Sequence, residues 1–177
     1  MAIEIERKFL VTSDDWRREA RSSERLLQGY VANTERCSVR LRVAGEQAWL
    51  SLKSMQPGTT RLEFEYPVPA QDAVEILDQL CDGTRIDKRR HLVEAGAHCF
   101  EVDEFLGDNA GLVVAEVELG SADEAFVRPP WLGVEVTHEA RYYNVMLARK
   151  PFSTWAPAAR AAARLGRDEP ANPGGSP

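Results

Sequence analysis

Residues 3–11 read IEIERKFLV. As a β-strand, with side chains alternating between two faces, they place Ile3, Ile5, Phe9 and Val11 on one side with Arg7, and Glu4, Glu6, Lys8 and Leu10 on the other. The alternation suits a strand far better than a helix. One such strand alone is an ordinary half-exposed strand, with its apolar face on a core and its charged face in water. Whether the charged face recurs decides the fold.

It recurs in strand after strand. RLLQGYVAN (25–33), CSVRLRVA (37–44), QAWLSLKS (47–54), RLEFEYPV (61–68), TRIDKRRHLVEA (84–95), HCFEVDEF (98–105) and LVVAEVEL (112–119) alternate in the same way, and LGVEVT (132–137) adds a short strand. Turn signals separate them: Ala44-Gly45-Glu46, Pro57-Gly58 and Ala95-Gly96-Ala97. Helices are expected after Ser13-Asp14-Asp15, over 70–81 with Val74, Leu77 and Leu80 as its apolar face, briefly over 121–126, and over 139–149. The alanine-rich stretch 155–165 reads as a peripheral helix, and the Pro- and Gly-rich 168–177 as disordered. The division expected is a domain over 1–150 and a tail over 151–177 that is low in burial potential.

The chain has 177 residues, 44% of them hydrophobic, enough for one substantial core without a second domain. With 22 Lys and Arg against 28 Asp and Glu, the net charge of −6 argues against nucleic acid or an anionic membrane as partner, so any basic site is local. No apolar run approaches the roughly 18 residues of a membrane span. Cys37, Cys81 and Cys99 lack a CxxC spacing, and His91, His98 and His138 lack an HExxH. Free thiols in a reducing cytoplasm are expected.

The two-residue period makes the polar faces specific. Arg40 and Arg42 project together; Lys53 joins Trp49 and Ser51; Arg61 lies with Glu63 and Glu65; Lys88 with Arg90; Glu101 with Asp103; Glu116 with Glu118. Either an open sheet or a barrel with a charged inside satisfies this pattern. About eight antiparallel strands favour closure, which removes exposed edges. Unpaired charges inside would each cost several kcal/mol, on the order of the buried-ion penalty, so such a lumen stays wet and holds something ionic. Paired carboxylates are hard oxygen ligands for Mg²⁺ or Mn²⁺, and alternating Arg and Lys grip an extended polyanion. Together they point to a metal-bound polyphosphate.

The run of EIERK, SVRLR, LSLKS, RLEFEYPV, DKRRHLV, FEVDEF, VAEVEL and GVEVTHEARYYN, in that order over residues 2–149, resembles the CYTH domain of the triphosphate tunnel metalloenzymes. The resemblance implies a mostly β, α+β fold: an eight-stranded antiparallel barrel forming a tunnel, with peripheral helices and a C-terminal plug helix. It implies that Glu4, Glu6, Glu116 and Glu118, with Asp103 nearby, hold metal, with Glu101 less secure. By the same resemblance Lys8, Arg40, Arg42, Lys53, Lys88 and Arg90 bind triphosphate, Arg61 shares their face, and Arg141 at the start of the plug reaches the terminal phosphate. Lys8, Lys88, Glu63 and Glu65 are the candidates for the chemical step, the two acids in the outer metal or water shell. Structural ion pairing is the rival reading for Glu63 and Glu65, a structural role for Arg141, and packing for Tyr30, which otherwise meets Lys8.

The activity expected is Mg²⁺- or Mn²⁺-dependent hydrolysis of inorganic tripolyphosphate to pyrophosphate and phosphate by water, since no Ser/His/Asp or Cys/His arrangement supplies a nucleophile. The alternatives are a class IV adenylate cyclase or a thiamine or nucleoside triphosphatase on the same tunnel, and a noncatalytic polyphosphate-binding module. A homodimer is left open. Glu116 and Glu118 are expected to repel Glu4 and Glu6 without metal, so that their replacement by Gln stabilises the metal-free protein.

Overall fold

The computed structural model describes the backbone of residues 2–54 and 60–168, with side chains except those at 2–4, 60, 61, 82 and 84. The side chains of Glu4 and Arg61, the Pro57-Gly58 turn and the disorder expected at the C-terminus lie outside the described residues. The strands are β1 (Ala2–Val11), β2 (Ala20–Asn33), β3 (Cys37–Ala44), β4 (Gln47–Ser54), β5 (Thr60–Val68), β6 (Asp82–Ala95), β7 (His98–Phe105), β8 (Val113–Glu118) and β9 (Leu132–Glu135). Among them lie helices α1 (Trp16–Glu19), α2 (Ala70–Gln79), α3 (Asn144–Arg149) and α4 (Pro157–Arg164).

The pairing runs β5-β4-β3-β2-β6-β7-β8-β1, and β5 returns to β1. All of these pairs are antiparallel, so eight strands form a ring. β1 serves three neighbours: residues 2–5 pair with β5, residues 6–10 pair with β8, and Phe9 and Val11 pair with β9. The β3–β4 hairpin turns at Gly45, whose φ of 56° is cheap only without a Cβ.

Two apolar coats cover parts of the ring's outside. Phe9, Val93, Phe100, Val102, Ala115 and Val117 pack under Trp16 and Trp131. Leu41 and Ala48 pack under Ala73 and Leu77 of α2. The helix thus buries an Ala70, Ala73, Leu77 face, whereas the expected Val74 and Leu80 are 47% and 59% exposed. Small residues at i and i+3 let α2 lie close to the sheet; the larger ones were the louder signal but point outward.

A third cluster fills one end of the ring from inside. Inward-facing Leu10, Tyr30, Ile86, Phe105 and Val114 meet Tyr142, Leu147, Ala148, Phe152, Trp155 and Ala163. The segment 139–149 is a single 3-10 turn at 140–142 followed by α3, rather than one continuous helix. Residues 151–168 belong to this plug, contrary to the low burial expected of them: Phe152 and Ala163 are buried, the Phe152 N–H donates to Asn109 Oδ1 at 2.8 Å, and Val134 N–H donates to Gly166 O at 3.0 Å. A Cβ on Gly133 would lie 2.7 Å from Gly166 O, so this close approach requires glycine.

The short helix expected over 121–126 is absent; turns replace it. Glu124 instead accepts from the Gly120 N–H and meets His98, while Phe126 stacks edge-on to Phe9 and Phe100. Arg7, on the apolar face of β1, pairs with Glu135 and lies over the rings of Phe9 and Phe126. Among the described residues no helix is long and apolar enough to cross a membrane.

Candidate active site

The ring encloses a cavity of about 1170 Å³. Its position follows from strand parity: on β1, Glu6 and Lys8 point inward and Leu10 points into the plug; on β6, Arg90 and Lys88 precede Ile86 in the same sense. On these two strands the inward row therefore passes from charged to apolar on entering the plug. Tyr143, Asn144 and Val145 line the cavity beside His138 and Ala140, while the exposed Glu118 and Cys99 line it as well.

One group of charges comes from β1, β6, β7 and β8. Lys8 stands opposite Glu116 in register and forms an ion pair with it. Asp103, fully buried, pairs with Lys88 and takes a bidentate contact from Arg90 at 2.8 and 2.7 Å. Arg90 also reaches Glu116 at 3.3 Å and pairs with Glu101. Burial opposes charge on Lys8, but Glu116 and Glu6 outweigh it and raise its pKa. Lys88 goes the other way: burial, then repulsion from Arg90, pushes it down to about 8 despite Asp103. Burial likewise works against the Glu116 carboxylate, and Lys8, Lys88 and Arg90 more than compensate, holding it well below the usual range.

The second group comes from β3, β4 and β5. Glu63 holds Arg40 at 3.3 Å and Lys53 at 2.9 Å; Glu65 holds Arg42 at 2.9 Å and accepts from Ser51 Oγ at 2.8 Å. Arg42 also stacks on Trp49, 5.1 Å from the ring centroid. Glu63 and Glu65 thus occupy the ion-pairing arrangement that rivalled their placement in a metal or water shell.

The structure brings Glu6, Lys8, Arg40, Arg42, Lys53, Glu63, Glu65, Lys88, Arg90, Glu101, Glu116 and Glu118 to one cavity. Two of the expected site residues lie off its lining. Asp103 does not line it; its carboxylate lies behind Lys88 and Arg90 and fixes them. Arg141 does not line it either: its guanidinium pairs with Asp168 and lies over the rings of Tyr142 and Trp155, because the packed tail supplies it with a partner. Tyr30 is packed into the plug core and also lines the cavity. Sequence reasoning passed over Gln28, which is uncharged, although its parity with Leu26 and Tyr30 points it inward.

An antiparallel barrel with a lumen of facing Lys, Arg and Glu residues, stoppered at one end, is a polyanion-handling tunnel domain. The chain belongs to the CYTH domain family, whose model matches residues 2–150. It is 40% identical over 155 residues to an inorganic triphosphatase of Acetivibrio thermocellus, covering 88% of this chain and 99% of that protein. To an inorganic triphosphatase of Nitrosomonas europaea it is 39% identical over 150 residues, 82% of this chain and 96% of the other. It also matches the crystal structure of the inorganic triphosphatase NE1496 at 33% identity and TM-score 0.62, over 89% of this chain and 98% of that one.

The family implies a divalent metal. The donors present fit one by their chemistry. Glu6 and Glu118 stand directly opposite, as do Glu101 and Glu116, giving hard oxygens on adjacent strands. Burial raises the Glu101 carboxyl; Arg90 opposes this, and Glu116 and Asp103 add to it. Among the described residues no three acids already converge as a ligand set, because Glu116 is engaged by Lys8 and Arg90.

Proposed function

We propose that this protein hydrolyses inorganic tripolyphosphate to pyrophosphate and phosphate, with Mg²⁺ or Mn²⁺ as cofactor. One observation carries the reading: a single lumen holds two facing groups of cations, Arg40, Arg42 and Lys53 on one wall and Lys8, Lys88 and Arg90 on the other, each resting on carboxylates. The names of the two curated relatives support the substrate class.

A bound divalent ion supplies charge neutralisation and a water of lowered pKa. Glu6, Glu101, Glu116 and Glu118 are the residues that would hold it. The arginines grip phosphate oxygens in bidentate fashion, and Lys8 and Lys88 place point charges where negative charge develops on the leaving phosphate. Asp103 keeps Lys88 and Arg90 aimed into the lumen. Glu63 and Glu65, once relieved of Arg40 and Arg42, accept from water. The closed floor formed by Tyr143, Asn144 and Val145 receives a chain by an unsubstituted end, which tripolyphosphate presents at both of its ends. Cys37, Cys81 and Cys99 as thiols accord with a reducing, cytoplasmic setting.

The deciding measurement is phosphate release from tripolyphosphate, ATP, thiamine triphosphate and pyrophosphate, each with Mg²⁺ or Mn²⁺. Tripolyphosphate is expected to be turned over fastest; ATP leading with cyclic AMP as product would make the protein a cyclase, and binding without turnover a polyphosphate module.

A further inference from the structure

Gln28 is 0% exposed, and among the described residues neither its Nε2 nor its Oε1 has a hydrogen-bond partner. A buried amide with both ends unmet is costly, so a position that retains one calls for a physical reason. Its place in the fold supplies a candidate. On β2 it lies opposite Arg42 of β3 and Ile86 of β6, midway between the two cation groups, and it lines the cavity. Arg40 and Arg42 share the condition: each has a buried Nε–H without an acceptor, although their outer nitrogens rest on Glu63 and Glu65. Three neighbouring side chains on one wall therefore present unmet donors. The group they lack is rich in acceptor oxygens, and Gln28 Oε1 additionally lacks a donor.

We propose that Gln28 contacts the substrate: its Nε2 donates to an oxygen of the phosphoryl group seated deepest in the cavity, and its Oε1 accepts from a water held beside that group. The inference rests on the tripolyphosphate reading and adds to it a neutral determinant that orients without attracting. Arg42, its register partner, turns from Glu65 towards the incoming anion and opens the covered amide to it. A phosphoryl oxygen with its adjacent water satisfies donor and acceptor together, whereas a second carboxylate or a second cation would satisfy only one.

The test uses Gln28→Met, which keeps the length and removes both polar atoms, and Gln28→Glu, which keeps the volume and replaces the donor by a second acceptor. Ligand-free Gln28→Met is expected to melt at or above the wild-type temperature, since it loses two unmet groups. Its melting-temperature gain on adding tripolyphosphate in EDTA should shrink, and its kcat/KM with Mg²⁺ should fall about tenfold to a hundredfold, the effect of one or two lost hydrogen bonds. Gln28→Glu should raise KM further by repelling the anion. A lower ligand-free melting temperature with an unchanged tripolyphosphate gain and unchanged kinetics would mean that a structural water occupies the amide, and would overturn the proposal. If Gln28→Met does not fold, an unchanged KM in Gln28→Glu overturns it equally. A wild type that binds tripolyphosphate but hydrolyses none of it defeats the functional reading alone, and Gln28 is then decided by the tripolyphosphate-induced shift.

Discussion

Lys88 is the residue at which charge is most expensive. Burial and Arg90 bring its ammonium down to about 8 from an ordinary 10.5, so it is a cation below pH 8 and neutral above. Because kcat/KM reports ionisations of the free enzyme, it is expected to fall as pH rises through about 8, and Lys88→Arg should move that limb upward. Stability runs in the opposite direction. Between 8 and 10.5 the unfolded chain binds the proton that folded Lys88 has released, so this residue adds stability as pH rises while activity declines. A kcat/KM that stays flat to pH 10 would show that the ammonium is not needed. Glu116 and Glu118 offer a second test at this scale. Their joint replacement looked stabilising from strand parity alone, but parity hides depth: Glu116 is buried against Lys8 and Arg90, while Glu118 is exposed opposite Glu6. Glu116→Gln should therefore lower stability by about 3–5 kcal/mol, as when one partner of a buried pair is removed, whereas Glu118→Gln should leave the metal-free protein at or above wild type. Thermal melts of the two single variants separate these effects, and equal shifts would contradict the assignment.

Among the elements, the plug departs furthest from what the sequence offered. The alternating strands were legible because a period of two survives in any sheet, and so was the inward direction of Arg40, Lys53, Lys88 and Glu116. The segment after residue 150 carries no such period. Its burial depends on where Phe152 and Trp155 find the open end of the ring, which is a matter of tertiary closure and not of local pattern. The consequence for truncation is direct. Removing residues 151–177 strips Phe152, Trp155 and Ala163 from the core that contains Leu10, Ile86 and Phe105, so a severe loss of stability is expected. Trp155→Ala alone should cost about 3–5 kcal/mol while leaving KM nearly unchanged, since Trp155 does not line the cavity. Chemical denaturation beside steady-state kinetics checks both; a truncated protein as stable as the full chain would remove the tail from the plug.

At the scale of the whole molecule, the ligand-free lumen satisfies its own charges. An anion entering alone takes Arg42 from Glu65 and leaves that carboxylate with Ser51; a metal entering alone takes Glu116 away from Lys8. Entering together, they exchange partners: the metal takes Glu116 and the anion takes the Lys8 that it releases. Metal and anion are therefore expected to tighten each other's binding about 5- to 150-fold, measured by calorimetry with a slowly hydrolysed triphosphate analogue after allowance for complexation in solution. Independent affinities would mean that the ion pairs persist in the complex. The two walls could be anticipated from the sequence, since charge and parity are local properties. Their mutual pairing could not, because it depends on the stagger of strands that meet only when the ring closes.

The stopper at one end also sets traffic. A passage open at both ends would let a long chain slide through and be cut at any point along its length; a blind one admits an end, to a fixed depth. Whatever is cleaved inside must then back out through the entrance by which it came, so the fragment left on the cations blocks the next arrival until it departs. A protein built in this way measures its substrate from the tip, and every round of cutting has to include an emptying.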